Sequence, residues 1–203
     1  QFNFPLKSKL TFEEFIINSK TNLTDVSVNN IFSRDFKSNL LSINLTNDGL
    51  DIVGKVNSSG QVLNLIWEQD FKKKDNSTLI SLSGSISDKT INNFISDNLK
   101  FLGTVDFEAN FTGNSFDFRK GDLFIDFRNT KIESYVLDWA KPKFSSMFLK
   151  SNINFSSNKE VNFNNFKIEG PLIQVNGNFK FKNNKIANIS LEKFISYSSK
   201  DNI

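Results

Sequence analysis

The chain has 203 residues, 23% of them charged, and a net charge of only +3, so it can bury a sizeable core but carries too little charge for a nucleic-acid binder. It contains no Cys and no His, which excludes disulfides, thiol nucleophiles, zinc sites built on Cys or His, and imidazole acid–base chemistry. Asn (29) and Phe (23) are abundant while Ala (3) is scarce, so Asn and Lys supply most of the polarity and Phe much of the apolar surface.

Gln1 opens the chain with no basic or apolar leader, and Lys200–Ile203 close it with no tail, which reads as a segment cut from a longer protein. No window reaches the roughly 18 consecutive apolar residues that a membrane-spanning helix needs. In the run from Thr11 to Asn18, Phe12, Phe15 and Ile16 suit a helical face, but the flanks read as strand, and strand is the expectation. Beyond it, period two dominates: Leu41/Ile43/Leu45, Leu63/Leu65/Trp67, Ile80/Leu82, then Phe101/Val105/Phe107/Ala109/Phe111. The pattern continues in Leu123/Ile125/Phe127, Ile153/Phe155, Ile173/Val175/Phe179/Phe181 and Ala187/Ile189/Leu191. Alternation places every second side chain on one face, so each run predicts a strand that is apolar on one side and wet on the other. Turn signals separate the runs at Asn47-Asp48-Gly49, Asn57–Gly60, Thr112-Gly113-Asn114 and Asn183-Asn184. The basic run Lys72-Lys73-Lys74 falls in a turn. Connections this short predict antiparallel meanders, because parallel strands need long crossovers.

One helix is expected near 88–96, capped by Ser87, with Asp88 at its positive end and Ile91, Phe94 and Ile95 as an apolar stripe. A hairpin unit repeats: Gly54 to Phe71 and Gly177 to Phe194 share one spacing through a turn. Glycine inside a strand permits a bulge, a bend or a close backbone approach, so its recurrence predicts a strongly curved sheet. Asn164-Asn165 marks an interruption between Phe163 and Phe166.

Carboxylates are the only candidates for chemistry. Asp117, Asp122 and Asp126 lack the spacing of a calcium loop and have Arg119 and Lys120 beside them. Asp106 and Glu108 sit on the wet face of one strand. No phosphate-cradling glycine loop occurs, so no enzyme, metal or cofactor is expected. What remains is the apolar face. It is either a core sealed by packing or the lining of an open trough. The residues expected on that lining are Phe107, Phe111, Ile125, Phe127, Ile153, Phe155, Val175 and Phe179.

Four stretches carry a resemblance. They are Gly54-Lys55-Val56 through Trp67 to Phe71; Leu79–Ile86 into the helix and on to Phe101–Val105; Asp126–Ile132 leading to Trp139-Ala140-Lys141-Pro142; and Phe166–Leu172 through Gly177 to Phe194. In that order, from about Leu40 to the end, the chain resembles the central AsmA-like domain of YhdP-type envelope proteins of Gram-negative bacteria, relatives of TamB. The resemblance implies one groove segment over 1–203: a long antiparallel meander curled into an open β-groove. It also implies a periplasmic parent anchored in the inner membrane, and a non-enzymatic role shielding phospholipid acyl chains between the inner and outer membranes. The alternative is a structural or interaction domain whose Phe-rich face is a sealed core.

Overall fold

The computed structural model describes residues 2–3, 16–31, 34–58, 60–92, 98–115, 117–157, 160–171, 173–182 and 185–197. Over the described residues it is mainly β and antiparallel, with 14 strands and one short helix. The strands are β1 (Phe2–Asn3), β2 (Ile16–Ile31), β3 (Arg34–Thr46), β4 (Gly49–Ser58), β5 (Gln61–Asp70), β6 (Thr78–Ser87) and β7 (Leu99–Asn114). They continue as β8 (Asp117–Asp126), β9 (Thr130–Ser134), β10 (Trp139–Lys141), β11 (Phe148–Ser157), β12 (Glu160–Gly170), β13 (Ile173–Lys182) and β14 (Lys185–Ser196). Helix α1 is Asp88–Asn92. The hydrogen-bonded order follows the chain from β1 to β8, then passes to β11 and on to β14 without closing on itself.

The meander expected from the turn spacing is interrupted once. Strands β9 and β10 leave the path as a side hairpin, and β9 pairs back onto the start of β7 through Leu99↔Ser134 and Gly103↔Thr130. Gly103 sits at the end of that pairing with φ of 122°, which an L side chain rarely adopts. A side chain there would also strike the Asn129 carbonyl.

By contacts the chain divides into two compact units. Unit 1 is 1–82 with 111–118, and unit 2 is 83–110 with 119–203. Unit 2 holds a core of Phe101, Val105, Phe127, Ile132, Trp139, Met147, Phe166, Ile173 and Val175. Ile91 of α1, Leu99, Ile125, Leu149, Ile168 and Phe179 pack against it. Alternation explains the membership: in β7 the odd positions Phe101, Val105 and Ala109 are buried while Leu102, Thr104, Glu108 and Asn110 are exposed.

Several local expectations are corrected. The described helix ends at Asn92, and the remainder of the expected stretch, with Phe94 and Ile95, lies outside the described residues. Asp88 still ties its start: its carboxylate accepts from the Gly103 and Lys89 N–H groups, which hold it below the usual carboxylate range. Thr112-Gly113-Asn114 is strand rather than turn, because β7 runs to Asn114 and the chain reverses after it, where Ser115 takes φ of 53°. Phe127 falls just past β8, its N–H donating to the Met147 carbonyl. In the expected strand Thr11–Asn18, Ile16 to Asn18 open β2 and the rest lies outside the described residues, as do Asn183-Asn184. The interruption at Asn164-Asn165 is present as a register shift between Phe163 and Phe166, with Asn165 at φ of 51°.

Candidate functional site

The inner face of unit 1 is not filled. Leu23, Val26 and Val28 of β2, Phe36 and Leu41 of β3, Ile52 and Val56 of β4, Leu65 and Trp67 of β5, and Ile80 and Leu82 of β6 line a cleft with Ile43 and Phe118. Its volume is about 240 Å³, and no polar atom contributes to its exposed wall. Lys37 and Ser38 border it, and the Ser38 hydroxyl is turned into the sheet, donating to the Lys55 carbonyl at 2.6 Å. The wall reaches solvent through Leu23 and Val28, each 41% exposed.

The strands reach this arrangement by breaking phase together. Leu23 and Val26 are three apart yet share the cleft, as are Ser38 and Leu41 opposite them. Asp25 takes φ of 52° at the break while the β2–β3 register is kept through it, and the extra residue lies on β3, between Lys37 and Leu41, against β4. Beyond the break the alternation resumes as Ile52, Val56, Leu65 and Trp67. Gly54 keeps β3 close: a side chain there would sit 2.7 Å from the Leu40 carbonyl oxygen. Gly177, its counterpart in the repeat, has the same constraint from the backbone of Ser190 and Leu191.

The eight residues expected on an apolar lining all lie on or continue the less exposed faces of their strands. Phe127, Ile153 and Val175 are buried; Phe107, Phe111, Ile125, Phe155 and Phe179 are half-buried. Phe127 and Val175 belong to the core of unit 2, with Ile125 and Phe179 packed against it. Phe179 stacks on Phe163 at 4.2 Å and meets Phe166 edge-on. Phe111 pairs edge-on with Phe118 in unit 1, and Phe118 lines the cleft. The cleft itself is walled by other residues, six of them already visible in the alternation of Leu41/Ile43, Leu65/Trp67 and Ile80/Leu82. What sequence reasoning missed is β2, whose phase break at Asp25 hides the alternation of Leu23, Val26 and Val28.

The carboxylates stay apart. Asp122 accepts from Asn152 at 2.8 Å on the outer face, and Asp126 caps the Arg128 N–H. Among the described residues no three acidic side chains come together as a metal site would need. The basic run at 72–74 is a turn, as expected, with Lys72 paired to Asp48 and Lys73 to Asp70. Also unforeseen is Lys141, only 1% exposed, whose ammonium donates to the Thr130 carbonyl at 2.8 Å and the Pro142 carbonyl at 3.0 Å. Burial pushes its pKa down, opposed in part by Asp126. Among the described residues no helix is long and apolar enough to cross a membrane. Comparison with protein-family models, with curated proteins and with solved structures finds no match.

Proposed function

We propose that the chain is a non-enzymatic lipid-holding segment of a periplasmic envelope protein of the YhdP and TamB kind, its parent anchored in the inner membrane. In this reading its apolar face shelters phospholipid acyl chains on their way between the inner and outer membranes, and the antiparallel sheet curls into an open groove to do so. The observation that carries the reading is the cleft of unit 1, open to solvent and walled only by apolar atoms. At about 240 Å³ it exceeds the ~150 Å³ engineered apolar cavity that stays dry and binds benzene, and falls below the ~300–1,000 Å³ of drug-sized sites. That suits a stretch of one hydrocarbon chain. Each methylene buried is worth ~0.8 kcal/mol wherever it lies on a uniform lining, so the chain is held without a preferred register and can slide.

A structural role has its own support in unit 2, where the alternating face is closed into a nine-residue buried cluster. The two roles are compatible within one chain.

Trp67, in the cleft wall, makes a direct test possible. The delipidated full chain is titrated with a dibrominated C18 fatty acid while tryptophan emission is followed. The expected result is saturable quenching that disappears in Trp67→Phe, where only buried Trp139 still emits, and in Leu65→Glu, which puts a charge in the wall. Quenching that persists in Trp67→Phe, or none at millimolar fatty acid, would remove the basis for a tail-holding cleft.

A further inference from the structure

The side hairpin β9–β10 is held unusually firmly at its root. Thr130 is 0% exposed, Ile132 2%, Trp139 4%, Ser134 6% and Lys141 1%, and Ile132 and Trp139 enter the core of unit 2. The turn that joins the two strands is 135–138, closed by the Ser134↔Trp139 pair. Its backbone is tied as well: the Tyr135 N–H donates to the Asn98 carbonyl at 3.1 Å and the Leu137 N–H to Ser134 Oγ at 3.4 Å. On this fixed base stand three consecutive apolar side chains, Tyr135, Val136 and Leu137, which are 64%, 71% and 42% exposed.

Asp138, at φ of 46°, and Ser134 already supply the turn's local chemistry, so the three apolar side chains are not needed to make it. Asn, Asp, Gly and Ser favour turns because they tolerate the backbone and satisfy it locally. The chain has 29 Asn and uses them at other reversals, at Asn47, Asn57 and Asn76, but none here. Three adjacent exposed apolar residues in a held turn are a cost with no folding return.

We infer that this tip is a membrane-contacting element, entering the interfacial zone of an electrically neutral bilayer. A specific protein partner needs about 800 Å² on each side, which three side chains of a four-residue turn fall well short of. A bilayer asks for no complementary surface, and small apolar anchors add to its affinity by area alone. Tyrosine suits the headgroup level, with its ring buried and its hydroxyl wet. The turn's one charged residue is the acidic Asp138, and behind it Glu133 is paired with Lys131 at 2.6 Å and faces Lys100 across the β7–β9 pairing, so the tip itself carries no cation to favour anionic over zwitterionic lipid. The inference stands apart from the cleft: the tip touches a bilayer surface, whether or not unit 1 holds a tail.

Because the chain has no cysteine, one can be introduced as a unique label site. Val136→Cys in the full chain, carrying an environment-sensitive fluorophore, is mixed with phosphatidylcholine vesicles. A control label at Lys73→Cys reports on a different turn. The expected result is a blue shift and intensity gain at Val136 with millimolar lipid and no change at Lys73. Adding Tyr135→Asp and Leu137→Asp should lower partitioning at least tenfold while the circular dichroism stays native. Four outcomes would overturn the inference: no shift at Val136, equal shifts at both sites, a shift only with anionic vesicles, or a shift that rises with protein concentration in the absence of lipid. The last would identify a second copy of the chain as the occupant.

Discussion

Lys141 offers the sharpest test of how unit 2 is held together. Truncation to alanine removes three methylenes beyond Cβ from a site 1% exposed, worth ~0.8 kcal/mol each. It also leaves the Thr130 carbonyl, in a residue 0% exposed, without the ammonium, at about 1–3 kcal/mol for a buried acceptor. The Pro142 carbonyl belongs to an exposed residue and can turn to water. Lys141→Ala should therefore cost about 4 kcal/mol, and Lys141→Met, which keeps the stem, roughly half of that. The measurement is urea unfolding followed by Trp139 emission in a Trp67→Phe background. The same pair has a pH signature. Burial lowers the folded pKa of Lys141 below its ordinary 10.5, so the folded state binds that proton less tightly than the unfolded chain. Stability contributed by this group rises as pH climbs from the folded value toward 10.5. A neutral amine retains two N–H donors, one for each carbonyl, so deprotonation keeps both hydrogen bonds and removes the desolvation cost. Wild type should gain on Lys141→Met as pH rises toward 10.5 from below. A Lys141→Ala cost under 1 kcal/mol, or a difference from Lys141→Met that is flat with pH, would refute the reasoning.

Two further substitutions probe the strand geometry. Gly177→Val would drive its Cβ into the Ser190 carbonyl and within about 3.1 Å of Leu191 Cα, so the β13–β14 pairing should loosen. Hydrogen exchange of β14 should accelerate, with a stability loss of roughly 1–3 kcal/mol. Asn165→Val forces a β-branched residue to hold φ of 51°, which should cost roughly 1–2 kcal/mol in urea unfolding. Asn165→Gly should be near neutral, because the N–H that donates to Asn178 Oδ1 remains.

Much of this was legible in the sequence, because period two is a direct consequence of strand geometry. The alternation of Leu63/Leu65/Trp67 and of Val105/Phe107/Ala109 marked both the strands and the faces they bury. Glycine recurrence marked where backbones approach, as Gly54 and Gly177 show. What stayed hidden was non-local. That β9 would pair with β7 rather than follow β8 depends on Ile132 and Trp139 finding the core, which no local pattern encodes. Lys141 was unreadable for the same reason: a lysine beside Trp139 and Pro142 reads as surface until the Thr130 carbonyl is placed against it. The phase break at Asp25 obscured the β2 wall, since a residue at positive φ interrupts the alternation, so Leu23 and Val26 reach one face from positions three apart.

The side hairpin also bears on why the same alternating pattern ends differently in the two units. Both units present one apolar face on antiparallel strands. In unit 2 that face receives Ile132 and Trp139 from β9 and β10, and residues such as Val105 and Val175 fall to 3% and 7% exposed. In unit 1 no side hairpin is present among the described residues, and Leu23 and Val28 remain 41% exposed around a cleft. Burying an apolar face stabilises in proportion to the area removed from water, so leaving one uncovered forgoes that stabilisation. The buried cluster of unit 2 and the cleft of β2 to β6 are therefore two outcomes of one alternating pattern, and the proposed tail-holding role rests on the cleft alone.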